Sequence, residues 1–181
     1  ELALSVLHDV LAEGVSTQRE QALLARLLSG DADAAGVLVD EGGFPSLPVT
    51  VLVVRGAREL LLDGLLAARM RFTARHLVRA DHGVLVCAGS VRVAEVPGLF
   101  TGPVVVGTGT TRADLSGAHE SYVEAQHASL VAARVPGFAP VASWESLGVY
   151  RMLASVPAAA VHPGVLRLPP ELVETLETYL D

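Results

Sequence analysis

The sequence predicts an α+β domain: an antiparallel β-sheet with helices on one face, flanked by a helix at each end of the chain. Three observations lead there. Apolar, β-branched runs alternate with amphipathic helical stretches. Two of those runs lie back to back in "RHLVRADHGVLVCAG", Arg75 to Gly89, around the polar tip Ala80-Asp81-His82-Gly83, which reads as a hairpin. The hairpin falls between two segments long enough to be crossover helices.

The elements follow in order. Leu2, Val6, Leu7, Val10 and Leu11 recur at helical spacing, and Gly14 stops that helix. In "TQREQALLARLLSG", Thr17 and Glu20 make a T-x-x-E capping box, and Leu23, Leu24, Leu27 and Leu28 form the buried stripe. "DADAAG" and "DEGGFPSLP" read as loops. "VTVLVV", Val49 to Val54, is apolar at nearly every position, which fits a strand buried on both faces. "ARELLLDGLLAARMRF" is a helix with Leu61, Leu62, Leu65, Leu66 and Met70 at core spacing. After the hairpin, "SVRVAEVPGLFTGP" reads as a short strand and a turn, and "VVVGTGT" as another apolar strand.

A long helix occupies "ADLSGAHESYVEAQHASLVAAR". Asp114 or Ser116 can cap it, and Leu115, Ala118, Tyr122, Ala125 and Ser129 share one face. "APVASW" reads as an edge strand and "ESLGVYRMLASV" as a short helix. A Pro/Ala/Gly-rich linker leads into "PPELVETLETYLD", a last helix with Pro170 in its first turn. The order β-α-β-β then β-α-β is that of a ferredoxin-like or cyclase-palm sheet. The expected domains are 1-14 (a linker or dimer helix), 15-155 (the sheet domain) and 156-181 (a linker and lead-in helix).

Composition narrows the function. Net charge is −7, from 13 basic and 20 acidic residues, and all 13 basic residues are Arg. A DNA-binding surface needs a basic patch to neutralise phosphates, so this chain is not expected to bind DNA by itself. Arg55, Arg58, Arg69, Arg71 and Arg75 crowd on or beside one helix, but that spacing reads as a solvated face rather than a phosphate site. Hydrophobic residues make up 51% of the chain and mean hydropathy is +0.46, yet no apolar run reaches the roughly 18 residues of a membrane span. The apolar excess points to covered interfaces, hence a homodimer and no membrane. The one cysteine, Cys87, sits in an apolar run and reads as a packed thiol, which fits a reducing cytoplasmic setting. The chain begins at Glu1 without a signal-peptide pattern, as an excised fragment would.

Several motifs compete for chemistry. Gly107-Thr108-Gly109 opens like a dinucleotide fingerprint, but Arg112 stands where the third glycine belongs, so a tight strand-to-helix turn is expected. Glu120, Glu124 and His127 share a helix face at i, i+4 and i+7 without a partner motif, which reads as an exposed polar face rather than a metal site. His76 and His82 read as surface histidines. Ser116-Gly117 lacks the G-x-S-x-G frame of a nucleophile elbow. Trp144 is expected to pin its helix to the sheet.

The segment "VVVGTGTTRADLSGAHESYVEAQHASLVAAR", with "VASWESLGVYRML" after it, resembles the GGDEF-like domain of PucR/CdaR-type bacterial transcriptional regulators. The likeness includes Leu147, Gly148, Tyr150, Arg151 and Leu153, and covers roughly Val15 to Asp181. It implies a regulatory domain whose DNA contact lies in a C-terminal helix-turn-helix absent from this chain. It also implies a sheet similar to that of diguanylate cyclases. In an active cyclase the hairpin tip carries a glycine pair and acids that hold a catalytic metal, with a further acid on the first strand. Here the tip reads Ala80-Asp81-His82-Gly83-Val84, and the first strand ends in Arg55. The resemblance therefore implies a non-catalytic domain with no cofactor and no metal, in which the cleft could still sense a nucleotide or metabolite effector. A live cyclase is disfavoured by Arg55 and Val84.

Overall fold

The computed structural model describes residues 16–154. The expected helices at Leu2–Leu11 and Glu171–Tyr179, and so the proposed segments 1-14 and 156-181, lie outside the described residues.

The chain folds as an α+β domain around a five-stranded mixed sheet. Helix α1 occupies residues 16–28 and α2 spans Asp33–Asp40. Strand β1 (Val49–Arg55) leads through α3 (Arg58–Arg71) to β2 (Ala74–Val78) and β3 (Gly83–Ala88). Two single 3₁₀ turns, Val93–Glu95 and Pro97–Leu99, connect β3 to β4 (Val105–Thr108). Helix α4 (Ala118–Arg134) then crosses to β5 (Val141–Ser143), and α5 (Tyr150–Ala154) closes the described chain. The strand order is β2-β3-β1-β4-β5.

Three neighbouring pairs are antiparallel, but β5 runs parallel to β4, so the sheet is not wholly antiparallel as expected. The helices also cover both faces, not one. Val51 and Val53 of β1 point into a core shared with α1, α2 and α4, while Leu52 and Val54 point into a second core shared with α3, Phe100 and Val96. The reason is in β1 itself: every residue from Val49 to Val54 is buried, so each face of the sheet needs a cover. Two covers also house much of the apolar excess within one chain.

Four local expectations need correction. "DAAGVLVD" is helical because Ala34, Ala35 and Leu38 bury against the core, which outweighs a weak helix propensity. The 93–99 stretch forms 3₁₀ turns and no strand; Val96 and the neighbouring Phe100 anchor it beside α3. On α3, Leu61 and Leu65 are buried, but Leu62, Leu66 and Met70 face solvent, at 49%, 43% and 87% exposure. At the chain start, α1 is already helical at residue 16, so Thr17–Glu20 does not open it; Glu20 instead forms ion pairs with Arg69 and Arg75. No helix among the described residues is long and apolar enough to cross a membrane.

Candidate functional site

The hairpin tip, the end of β1 and one face of α4 meet at one end of the sheet. The tip is tight: the Arg79 amide donates to the His82 carbonyl at 2.8 Å, between Val78 of β2 and its partner Gly83 of β3. Val54 pairs with Gly83, which brings the next residue, Arg55, beside Asp81. Arg55 Nη1 donates to Asp81 Oδ2 at 2.9 Å, and its Nε donates to Ser129 Oγ on α4 at 2.9 Å. The cation expected to replace a metal-binding acid thus bonds the one acid of the tip.

His82 is 3% exposed, so it is not the surface histidine expected from the sequence. Its Nδ1 lies 2.7 Å from Asp81 Oδ1, and its Nε2 lies 3.0 Å from the Tyr122 hydroxyl. A carboxylate only accepts, so Nδ1 carries the proton and Nε2 of the neutral ring accepts from Tyr122. The Tyr122 oxygen in turn accepts from Gln126 Nε2 at 2.8 Å. Neutral His82 satisfies every partner in this chain of bonds. Burial pushes its pKa below the ordinary value, against the opposing pull of Asp81. Arg55, and then His82, hold Asp81 down at about 2. Burial raises Tyr122, whose ring lies 5.4 Å beneath the Arg79 guanidinium.

This arrangement ties three elements together: β1 through Arg55, the hairpin through Asp81 and His82, and α4 through Tyr122, Gln126 and Ser129. Its one carboxylate is committed to a guanidinium and an imidazole. Val84, which follows the tip on β3, is fully buried. Among the described residues no group of three His, Cys, Asp or Glu side chains is placed to hold a metal ion.

The other candidates are dispersed. Gly107 and Gly109 do not make a turn; they let α4 lie flat on the sheet. A Cβ on Gly107 would sit 2.1 Å from the Ser129 amide nitrogen, and one on Gly109 would sit 2.0 Å from the Ser121 carbonyl oxygen. Glu124 does not face solvent as expected: it accepts from the Thr110 amide and from Arg112, each at 2.7 Å. Glu120 pairs with the same Arg112 at 3.2 Å, while His127 packs 6.0 Å from Trp144, so the three do not form a ligand set. The five arginines separate: Arg69 and Arg75 hold Glu20, Arg71 holds Glu95, Arg55 holds Asp81, and Arg58 stands exposed at the start of α3. His76 is buried at 6% exposure, again against expectation, with its pKa lowered by burial. Asp114 accepts from the Ser116 amide and caps the 3₁₀ turn that leads into α4. Cys87 is fully buried and pushed up to about 12, an inert thiol.

The fold and this network define an α+β domain whose hairpin tip is tied down by an internal ion pair and by an Asp-His-Tyr relay of hydrogen bonds that runs from exposed Asp81 to buried His82 and Tyr122. No family model matches the sequence, and no curated protein matches it either.

Proposed function

We propose that this chain is a non-catalytic regulatory domain of a bacterial transcriptional regulator, which pairs with a second copy and relays a signal to a C-terminal helix-turn-helix. The reading rests on the resemblance of residues 104–153 to GGDEF-like regulatory domains. One observation supports its non-catalytic part: the Arg55–Asp81 ion pair at 2.9 Å commits the one carboxylate of the tip, whereas the cyclases that the chain resembles need free carboxylates around a metal. The strand order β2-β3-β1-β4 supports the ferredoxin-like part of the reading. A nucleotide or metabolite sensor at the same end of the sheet has less support, because Arg55, Asp81, His82 and Tyr122 satisfy one another there.

Two measurements test it. Incubation with GTP or ATP and Mg²⁺ or Mn²⁺ should give no cyclic product above a boiled control; metal-dependent turnover abolished by Asp81→Ala would overturn the non-catalytic reading. Light scattering at tens of micromolar should show a dimer, weakened by Leu7→Glu with Val10→Glu. A monomeric intact chain would sink the pairing, and a dimer indifferent to those changes would move the contact to the sheet domain.

A further inference from the structure

A cleft of about 490 Å³ opens at the end of the sheet opposite the hairpin tip. It lies where β1 begins, at Thr50, and where β3, β4 and β5 end, at Gly89, Thr108 and Ser143. Strand β1 is antiparallel to both β3 and β4, and β5 is parallel to β4, so β3, β4 and β5 all run the same way. Their carboxyl ends therefore converge on the cleft. Open sheets take ligands at such ends, and the volume falls within the roughly 300–1,000 Å³ of small-molecule sites.

The chemistry of the walls selects the ligand. Hydroxyls come from Thr50, Ser90, Thr108, Thr111 and Ser143. They offer both hydrogen-bonding roles. Ser143 Oγ accepts from the Ser146 amide at 3.2 Å and keeps its proton to donate. Thr108 donates to the Gly109 carbonyl at 3.1 Å and keeps its lone pairs to accept. Thr50 and Thr111 share one hydrogen bond at 2.7 Å, which leaves one of their two protons free. Val91 and Val93 add an apolar wall. The one charged side chain of the lining is Glu145, with no Arg or Lys, and the chain carries a net −7. Phosphates and carboxylates are repelled from such a site. A molecule with many hydroxyls on its edges and C–H groups on its faces matches it.

We infer that this cleft binds a small, uncharged polyhydroxylated molecule of monosaccharide size. Such binding does not depend on the chain being a regulator, and it uses residues remote from Arg55 and Asp81. The test is an amide NMR titration of the 181-residue chain with neutral hexoses, pentoses and inositol, beside glucuronate and GTP. At least one neutral compound should give saturable shifts at Ser90, Thr108 and Ser143, with glucuronate about tenfold weaker or worse than glucose. Thr108→Val, which keeps the shape and removes the hydroxyl, should lower the affinity about tenfold. Should that variant misfold, Ser90→Tyr, which fills the cleft from an exposed position, should abolish the shifts while circular dichroism stays unchanged. No saturable shift with any neutral compound up to about 20 mM would overturn the inference. So would tighter binding of glucuronate or GTP in the same cleft.

Discussion

Arg55 Nη1 lies 2.9 Å from Asp81 Oδ2, joining the last residue of β1 to the hairpin tip across 26 positions of sequence. The arginine is 19% exposed and the aspartate 65%, so the pair is half in water. Its contribution to stability is accordingly modest. The guanidinium also reaches Ser129, so one side chain links the tip, β1 and α4.

The ion pair has a pH signature. Asp81 is held at about 2 in the fold, below its ordinary 3.8, so its contribution is present above about pH 4 and is lost as pH falls from there toward 2. Asp81→Asn should cost about 1 kcal/mol or less at pH 7, after discounting for solvent screening. Urea unfolding at pH 7 and again near pH 2 should show that cost shrinking at the lower pH. An equal cost at both would place the effect elsewhere.

His82 should titrate below the ordinary histidine range in the folded protein. The unfolded chain then binds the proton more readily, so stability is full above about pH 6.5 and falls as pH drops below it. His76 and His127 are shifted the same way by burial, so the loss is a sum over three rings. Histidine Cε1 NMR titrations separate them. A His82 midpoint at or above 6.5 would contradict the neutral, Tyr122-bonded ring.

Gly107→Ala and Gly109→Ala should each destabilise by about 3 kcal/mol or more, because the new methyl meets α4 backbone, which cannot swing away as a side chain can. Thermal midpoints should fall by about 6–12 °C for that cost at this chain length. Gly137→Ala, which meets open space, serves as the control and should change stability by less than about 0.5 kcal/mol.

On α3, Leu65→Ala should cost about 2–5 kcal/mol, since Leu65 is fully buried. Met70→Ala should cost less than about 0.5 kcal/mol, since Met70 is 87% exposed. Chemical denaturation of the two variants distinguishes the buried stripe from the exposed one. Equal losses would mean that Met70 is covered, for example by a second copy of the chain.

Much of the framework was legible along the chain. Continuous apolar runs at Val49–Val54 and Gly83–Ala88 announced strands buried on both faces, and the Ala118-Tyr122-Ala125-Ser129 spacing announced the inner face of α4, with Leu115 buried in the 3₁₀ turn before it. Both are local patterns set by backbone periodicity, 2.0 for strands and 3.6 for helices. The hairpin around Ala80–Gly83 and the short edge strand at Val141–Ser143 were legible for the same reason. The presence of Arg55 and a lone Asp81 was also legible, though not their contact.

Only the tertiary structure decided the rest. Helix α3 carries leucines at 60, 61, 62, 65 and 66 on more than one side, so its periodicity could not say that Leu61 and Leu65 face the sheet while Leu62, Leu66 and Met70 face water. The burial of His82 depends on Tyr122, 40 residues away, and the pairing of Glu124 on Arg112 and the Thr110 amide. The role of Gly107 and Gly109 depends on how closely α4 approaches β4. The hydroxyl-lined cleft joins Thr50, Ser90, Thr108 and Ser143, which only the parallel course of β3, β4 and β5 brings to one end of the sheet. Periodicity reports which side of an element is apolar; strand order and helix placement, which are long-range and cooperative, determine what that side meets.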